Sequence, residues 1–306
     1  ADLGPLAPAA GIVLRAPGGS ERNKVILVVA GPGGAPSGVV KLARIDAARP
    51  GLAREARSLA ALGPVADAVG APRLLFHRGA DDAVGESVVT GEPLMGPIER
   101  DGLPAVAAAV TDWLITLGQR TTDPAGDPAV LIDRLLSDFT AAFAGTVHAD
   151  ELDETRRLLA ALPPLPCVFE HRDCSPWNLL RRPAGDIAGL DWESAEPRGI
   201  PLTDLVYFLT YGGFTEDRPA DADLLASSAR RLNVPPGRDA EHRYCAAVGV
   251  PEAAIPALRV VTWMIHACTA AAEAPGEPER PNAWSTTTTL LGLWRAALAA
   301  ARAPGA

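Results

Sequence analysis

The chain has 306 residues, 48% apolar and 21% charged, with a formal net charge of −9 at pH 7. That length can bury two sizeable cores, and the acidic balance argues against a nucleic-acid partner. No uninterrupted apolar run reaches the roughly 18 residues of a membrane span, so no membrane partner is expected; four cysteines without a CxxC pair do not suggest a zinc site.

The amino terminus, Ala1 to Pro5, lacks the basic region and apolar core of a signal peptide. The expected compartment is the cytoplasm, with Cys167, Cys174, Cys245 and Cys268 as free thiols. Strands are predicted at Gly11 to Ala16, Lys24 to Ala30 and Gly38 to Ala43. Between the first two lies the turn-rich loop Pro17 to Asn23. Gly18, Gly19 and Ser20 there would offer backbone N–H groups to phosphates, and an ordinary hairpin turn explains them nearly as well. Gly31-Pro32-Gly33-Gly34 lacks the Gly-Lys-Ser/Thr ending of a P-loop and is read as a hairpin loop pointing away from any site.

Lys41 sits in the third strand. The chain contains only one other lysine, Lys24; the remaining 26 basic residues are arginines. A charge inside an apolar run needs a partner or a ligand, and a compact ammonium suits phosphate oxygens better than a planar guanidinium. Fourteen residues later Glu55 falls in a segment where Leu52, Ala56, Leu59 and Leu62 recur at helical spacing. An inward turn of Glu55 would pair it with Lys41; the alternative is a surface lysine and a solvated glutamate. Leu74 to Arg78 and Glu86 to Thr90 predict two further strands joined by Gly79 to Asp82. Gly91 to Pro97 then breaks the pattern.

From Leu103 onward helical spacing dominates: Ala105 to Arg120, Ala129 to Ala144, Ala149 to Leu162, Thr203 to Tyr211, Ala222 to Leu232, Ile255 to Ala272 and Ser285 to Ala301. Thr203 would cap the helix carrying Asp204. Trp263, Trp284 and Trp294 fit core packing better than a binding role.

The most informative segment interrupts those helices. His171-Arg172-Asp173-Cys174-Ser175-Pro176-Trp177-Asn178 is followed, thirteen residues after Asn178, by Asp191 at the end of an apolar run. A short strand from Asn178 to Arg181, a turn at Pro183 to Asp186 and a strand from Ile187 to Trp192 form a hairpin. The hairpin brings Asn178 and Asp191 to one end, within reach of a single ion. An aspartate to orient an attacking hydroxyl, with an amide oxygen and a second carboxylate for magnesium, is the layout phosphoryl transfer from Mg-ATP requires.

These segments, VVKLAR (39 to 44), REARSLAAL (54 to 62), HRDCSPWN (171 to 178), GLDWE (189 to 193) and Asp204-Leu205, resemble the aminoglycoside phosphotransferase and choline kinase family. This is the small-molecule branch of the protein-kinase-like fold. The resemblance covers roughly residues 11 to 215. It implies an α+β, two-lobed fold: an amino-terminal antiparallel sheet with one helix over residues 1–92, and a larger, mostly helical lobe over 93–306. It implies Asp173 as catalytic base, Asn178 and Asp191 as magnesium ligands, Lys41 as the phosphate-binding lysine and Glu55 as its partner. His171 and Asp204 would support the catalytic loop, and Glu193 and Glu196 are candidates for the substrate side. A kinase-like fold would place at Gly91 to Pro97 the hinge whose backbone, near Val89 to Gly91, bonds the adenine edge. ATP, with GTP left open, and Mg2+ are the implied cofactors. A small-molecule hydroxyl is the implied acceptor, for a monomer or homodimer. Three features depart from the family: Arg172 stands where it usually has Gly, Ser175 where it often has His, and Trp177 where Gly is common. They leave the substrate contacts open. HRD also suits a protein kinase, yet only about a dozen residues separate Asp191 from Asp204, too few for an activation loop. A nucleotide-binding pseudoenzyme is the remaining alternative.

Overall fold

The computed structural model describes residues 4–6, 9–15, 24–79, 83–217, 227–228, 230–273 and 286–302. Gly18, Gly19 and Ser20 lie outside the described residues, as do Trp284 and most of the helix expected over 222–232. The chain forms two compact units. The first comprises residues 1–94, 171–173 and 177–197, and the second residues 95–170, 174–176 and 198–306.

The first unit is built on a five-stranded antiparallel sheet: β1 (Gly11–Arg15), β2 (Lys24–Ala30), β3 (Pro36–Ala43), β4 (Leu74–Arg78) and β5 (Ala83–Glu86), in the order β1-β2-β3-β5-β4. The turn between β2 and β3 is closed by bonds from Gly31 N–H to the Ala35 carbonyl and from Gly34 N–H to the Gly31 carbonyl. Gly33 and Gly34 adopt φ of +100° and +82° there, which a side chain would resist. Ile26 of β2 lies opposite Lys41 of β3, and Lys24 opposite Ala43. Because side chains alternate along a strand, Lys24 and Lys41 share one face of the sheet.

Helix α1 (Arg49–Leu62) begins with Pro50 in its first turn, where a missing N–H costs nothing. Its buried positions Leu52, Glu55, Ala56, Leu59 and Leu62 follow the 3–4 spacing. Leu52 and Ala56 pack on Val84 of β5, with Ala43 and Leu74 alongside. The two leucines Leu59 and Leu62 are fully buried, each worth about 1.5–3 kcal/mol. A second sheet, β6 (Glu92–Pro93), β8 (Leu179–Arg181) and β9 (Ile187–Gly189), completes the unit. Gly70, at φ +60°, lies so close to Ala188 of β9 that a Cβ would sit 2.9 Å from the alanine's.

One predicted strand is displaced. β5 runs over Ala83–Glu86, not Glu86 to Thr90. Val88 and Val89 have strand propensity, but the ladder with β3 ends at the Val39–Glu86 pair.

The second unit is mainly helical. It contains α2 (Met95–Asp101), α3 (Leu103–Thr121), α4 (Ala129–Ala142), α5 (Ala149–Ala160), α6 (Thr203–Asp217), α7 (Gly237–Val248), α8 (Ile255–Glu273) and α9 (Thr287–Ala301), with the short strand β7 (Val168–Glu170). β10 (Glu196–Gly199) spans the boundary between the two units. Helix α2 forms where a break was expected: Pro97 falls in its first turn, where the N–H has no partner to lose. Helix α7 was not anticipated. Trp263 and Trp294 are buried core residues as expected, Trp294 tilted against Phe139 at 5.0 Å. Thr203 does not act through a cap: its hydroxyl donates to Glu170 Oε1 at 2.6 Å, and Ile200 N–H donates to Glu170 Oε2. Residues 252–272, largely α8, are long and apolar enough to cross a membrane by length and composition alone. As in a core helix, 61% of that stretch is buried inside the protein.

Arg259 of α8 reaches the fully buried Glu241 of α7, with Nη2 2.5 Å from Oε2. Removing one partner of such a pair strands a buried charge at a cost of about 3–5 kcal/mol. Arg259→Met is therefore expected to lose about that much stability in urea unfolding at neutral pH. A loss below about 1 kcal/mol, as for exposed pairs, would contradict this account.

Candidate active site

Lys41 is 6% exposed, and its ammonium faces three carboxylates from three different segments. Glu55 Oε1 of α1 lies at 2.5 Å, Glu86 Oε1 of β5 at 3.2 Å and Asp191 Oδ1 at 3.5 Å. The Glu55 contact is a hydrogen bond, and the other two lie within ion-pair range. The predicted inward turn of Glu55 is thus present, and Glu86 joins the pair unforeseen. Burial alone would lower the Lys41 pKa, but Glu86, Glu55 and Asp191 outweigh it and hold the ammonium firmly charged. Burial pushes Glu86 up to about 7 despite the attraction of Lys41.

Lys24 is the second surprise. Its Nζ lies 2.9 Å from Asp191 Oδ1 and 2.7 Å from Glu193 Oε2. Burial opposes its charge, and Asp191, Glu55 and Glu193 more than restore it. Asp191 is desolvated too, yet Lys41 and Lys24 hold it well below the usual carboxylate range. Glu193 is raised by burial and by Asp191, with Lys24 opposing. Its carboxylate lies against α1 at Gly51, where a Cβ would come within 2.6 Å of Oε2, and Arg54 Nε donates to its carbonyl. The signal for Lys24 was in the sequence: a chain with two lysines uses both here.

The hairpin supplies the rest of the site. Leu190 N–H bonds the Asn178 carbonyl at 2.8 Å, so Asn178 and Asp191 flank one rung of the ladder. Asn178 Nδ2 donates to Asp173 Oδ2 at 2.7 Å and to the Asp173 carbonyl at 3.2 Å. His171 Nε2 is 2.9 Å from the Leu190 carbonyl, which can only accept, so that nitrogen carries the proton. Its Nδ1 then accepts the Asp173 N–H at 3.2 Å. The imidazole is tilted at 55° to the Trp192 ring, centroids 4.4 Å apart, and burial lowers its pKa to about 4, so it is neutral at physiological pH. His171 therefore ties the backbone at Asp173 to the backbone just before Asp191. Arg172 and Asp191 both adopt left-handed backbone, φ +66° and +62°, a strain of about 1–2 kcal/mol each.

The remaining predicted residues are more dispersed. Val89 is half-buried, and Gly91 lies against β8, where a Cβ would meet the Arg181 carbonyl at 2.8 Å. Glu196 is half-buried at the start of β10. Asp204 is buried in the first turn of α6, in the second unit. Cys174 is a buried thiol.

Among the described residues no three His, Cys, Asp or Glu side chains form a ready-made metal cluster. The donors available are hard oxygens: the Asp191 carboxylate and the Asn178 amide oxygen, whose NH2 is already engaged by Asp173. Magnesium takes one or two protein carboxylates and fills its sphere with phosphate and water, so this donor set fits it. The charge balance fits as well. Lys24 and Lys41 face Glu55, Glu86, Asp191 and Glu193, an excess of two negative charges when all are ionised.

An ammonium paired with a helix carboxylate under an antiparallel sheet, beside an Asp–Asn loop and a second Asp on a hairpin, defines a kinase-like phosphotransferase. The chain belongs to the phosphotransferase enzyme family, whose model matches residues 13–242, and is an ATP-dependent phosphotransferase acting on hydroxyl acceptors of small molecules. Solved structures share the fold. A choline/ethanolamine kinase family protein from Mesorhizobium loti is 18% identical with a TM-score of 0.59, covering 98% of this chain and 96% of its own. An ADP-bound aminoglycoside phosphotransferase, APH(2'')-Ib, is 12% identical with a TM-score of 0.55, covering 95% of both chains. The choline kinase LicA from Streptococcus pneumoniae is 12% identical with a TM-score of 0.54, again covering 95% of both. Among curated proteins no sequence matches the chain.

The raised Glu86 carries a pH signature. Folded, it takes up its proton near pH 7; unfolded, only near 4.5. Between those values folding binds a proton, so this group makes stability fall as pH rises. His171, held neutral down to about 4, acts in the opposite sense between about 4 and 6.5. Glu86→Gln removes only the first effect. Its stability relative to the wild type is expected to climb from pH 4.5 to 7 and then level, as read from urea midpoints. A difference independent of pH would rule out the raised carboxylate.

Proposed function

We propose that this site transfers the γ-phosphate of ATP to the hydroxyl of a small cationic acceptor: an aminoglycoside, an amino sugar or a related amino alcohol. The observation that carries the reading is the Lys41–Glu55 pair at 2.5 Å together with Asp173 and Asn178 bonded at 2.7 Å on the same compact unit. In this reading Asp173 orients the acceptor hydroxyl and accepts its proton. Lys41 turns an N–H from its carboxylates toward the phosphates and holds them in line. Asn178 and Asp191 would hold a magnesium ion, whose charge would offset that of the phosphates. His171 keeps Asp173 and Asp191 in mutual register through the backbone. Glu193, held by Lys24, and Glu196 are the carboxylates proposed for the acceptor side.

A cationic acceptor is supported by the chain's net charge of −9 and by the acceptors that the similar proteins are named for. Residence in the cytoplasm and a monomeric or dimeric state belong to the same proposal, with ATP as donor and GTP left open. So does the division at residues 1–92 and 93–306.

ADP release from Mg-ATP, measured against a panel of aminoglycosides, amino sugars, sugars and amino alcohols, tests it. Turnover is expected with a cationic member, and Asp173→Asn is expected to reduce it by about 10²–10⁴-fold while Mg-ATP binding persists. Equal loss of binding and turnover would remove Asp173 from its proposed role. Asp191→Ala is expected to abolish magnesium-dependent nucleotide binding, and unchanged affinity would remove it from the metal site. Nucleotide binding without turnover on any acceptor would favour a pseudoenzyme.

A further inference from the structure

We propose that Lys24 is a tethered cation of this site: its ammonium holds the Asp191 and Glu193 carboxylates in the metal-free protein and yields Asp191 to the divalent ion that arrives with the nucleotide. The inference deepens the reading above and rests on Asp191 being a metal ligand.

The geometry places a monovalent cation where the proposed divalent one would bind. Lys24 Nζ is within 2.9 Å of both carboxylates, and its side chain is only 11% exposed. Lys24 is the first residue of β2, on the same sheet face as Lys41. Asp191 Oδ1 is thus bracketed by two ammonium groups, at 2.9 and 3.5 Å. Lys41 is bound in addition by Glu55 and Glu86; among the described residues, the ion pairs of Lys24 are those with Asp191 and Glu193.

Glu193 makes the arrangement reversible. Its carboxylate is seated against Gly51 of α1, and Arg54 holds its carbonyl. When Asp191 turns to a divalent ion, Lys24 therefore keeps one fixed partner and is not released into solvent. A double positive charge at the same oxygen outcompetes a single one, and the displaced ammonium remains on the face where Lys41 meets the phosphates. A guanidinium would pair bidentately and hold the carboxylates more tightly, which accounts for a lysine at this position in a chain otherwise built with arginine.

Two measurements test the proposal without relying on activity. Because the chain has only two lysines, protein labelled with ¹³C at lysine Cε gives two side-chain signals, assigned with Lys24→Arg. Adding Mg2+ without nucleotide is expected to shift the Lys24 signal. In parallel, Lys24→Met is expected to bind Mn2+ about tenfold more tightly than the wild type, since the competing cation is gone. A purely structural lysine would give no gain in metal affinity. An unmoved Lys24 signal at saturating Mg2+, or unchanged or weaker Mn2+ binding by Lys24→Met, overturns the proposal. Asp191→Ala separates it from the reading beneath it. If that variant loses Mn2+ binding while Lys24→Met behaves as wild type, only the role of Lys24 falls. If Asp191→Ala binds Mn2+ as well as the wild type, the metal site and the role of Lys24 fall together.

Discussion

The first unit is organised around a buried ammonium that must not be left unpaired. Lys41 projects from the central strand of the sheet, where an isolated charge would cost several kcal/mol. Its requirement is met by Glu55 from the helix, Glu86 from the neighbouring strand and Asp191 from the hairpin that closes the site. The elements carrying Glu55 and Glu86 are joined by apolar contacts as well: Leu52 and Ala56 of α1 pack on Val84 of β5. Hydrophobic burial positions the elements, and the charge cluster sets their register against one another. The cluster is not a strong source of net stability, since desolvation of its members offsets much of their attraction. It makes the arrangement specific: sliding α1 by one residue would rotate Glu55 off the buried face and strand Lys41.

Much of this was legible in the sequence because it rests on local periodicity and on residue types that are expensive to bury. The strands at Lys24 and Leu74, the helix over Arg49–Leu62 and the hairpin at Leu179–Gly189 follow from alternation, 3–4 spacing and turn residues. Lys41 and Glu55 stood out as charges within apolar patterns. Glu86 did not, because a glutamate at the end of a short apolar segment reads equally well as a solvated strand terminus. Its burial depends on a register that only the three-dimensional pairing of β3, β4 and β5 defines. Lys24 was visible by its rarity, but its partners lie 167 and 169 positions away. No local pattern spans that distance. Helix α2 was obscured by Gly96 and Pro97, which break helices in their interiors but are tolerated in a first turn.

The backbone at Arg172 and at Asp191, which follows the hairpin, lay beyond sequence reasoning for a different reason. Left-handed φ at Arg172 and Asp191 runs against the preference of both residues. Such conformations persist only where surrounding contacts over-determine them. Here the contacts are identifiable: His171 spans from the Asp173 N–H to the Leu190 carbonyl, its ring packs at a tilt against Trp192, and the indole N–H is fixed to the Gly189 carbonyl. Burial makes that bridge possible, because only a neutral imidazole can donate through one nitrogen and accept through the other. A cationic histidine would lose the acceptor and release the loop.

The same electrostatics bear on how a nucleotide would be received. A triphosphate approaching this site alone meets four carboxylates and two ammonium groups, every short contact of which is already carboxylate to ammonium. Phosphate oxygens can gain a lysine N–H only if a carboxylate gives one up, and a carboxylate left unpaired in that setting is costly. Two features relieve this. Glu86, with its proton affinity lifted to near neutrality, can become a neutral acid at little cost. Asp191, held strongly anionic, is the group best prepared to exchange an ammonium for a divalent cation. The excess of negative charge is therefore matched to a ligand carrying its own positive charge, and on the proposed reading nucleotide and metal enter as one species because neither is electrostatically complete without the other.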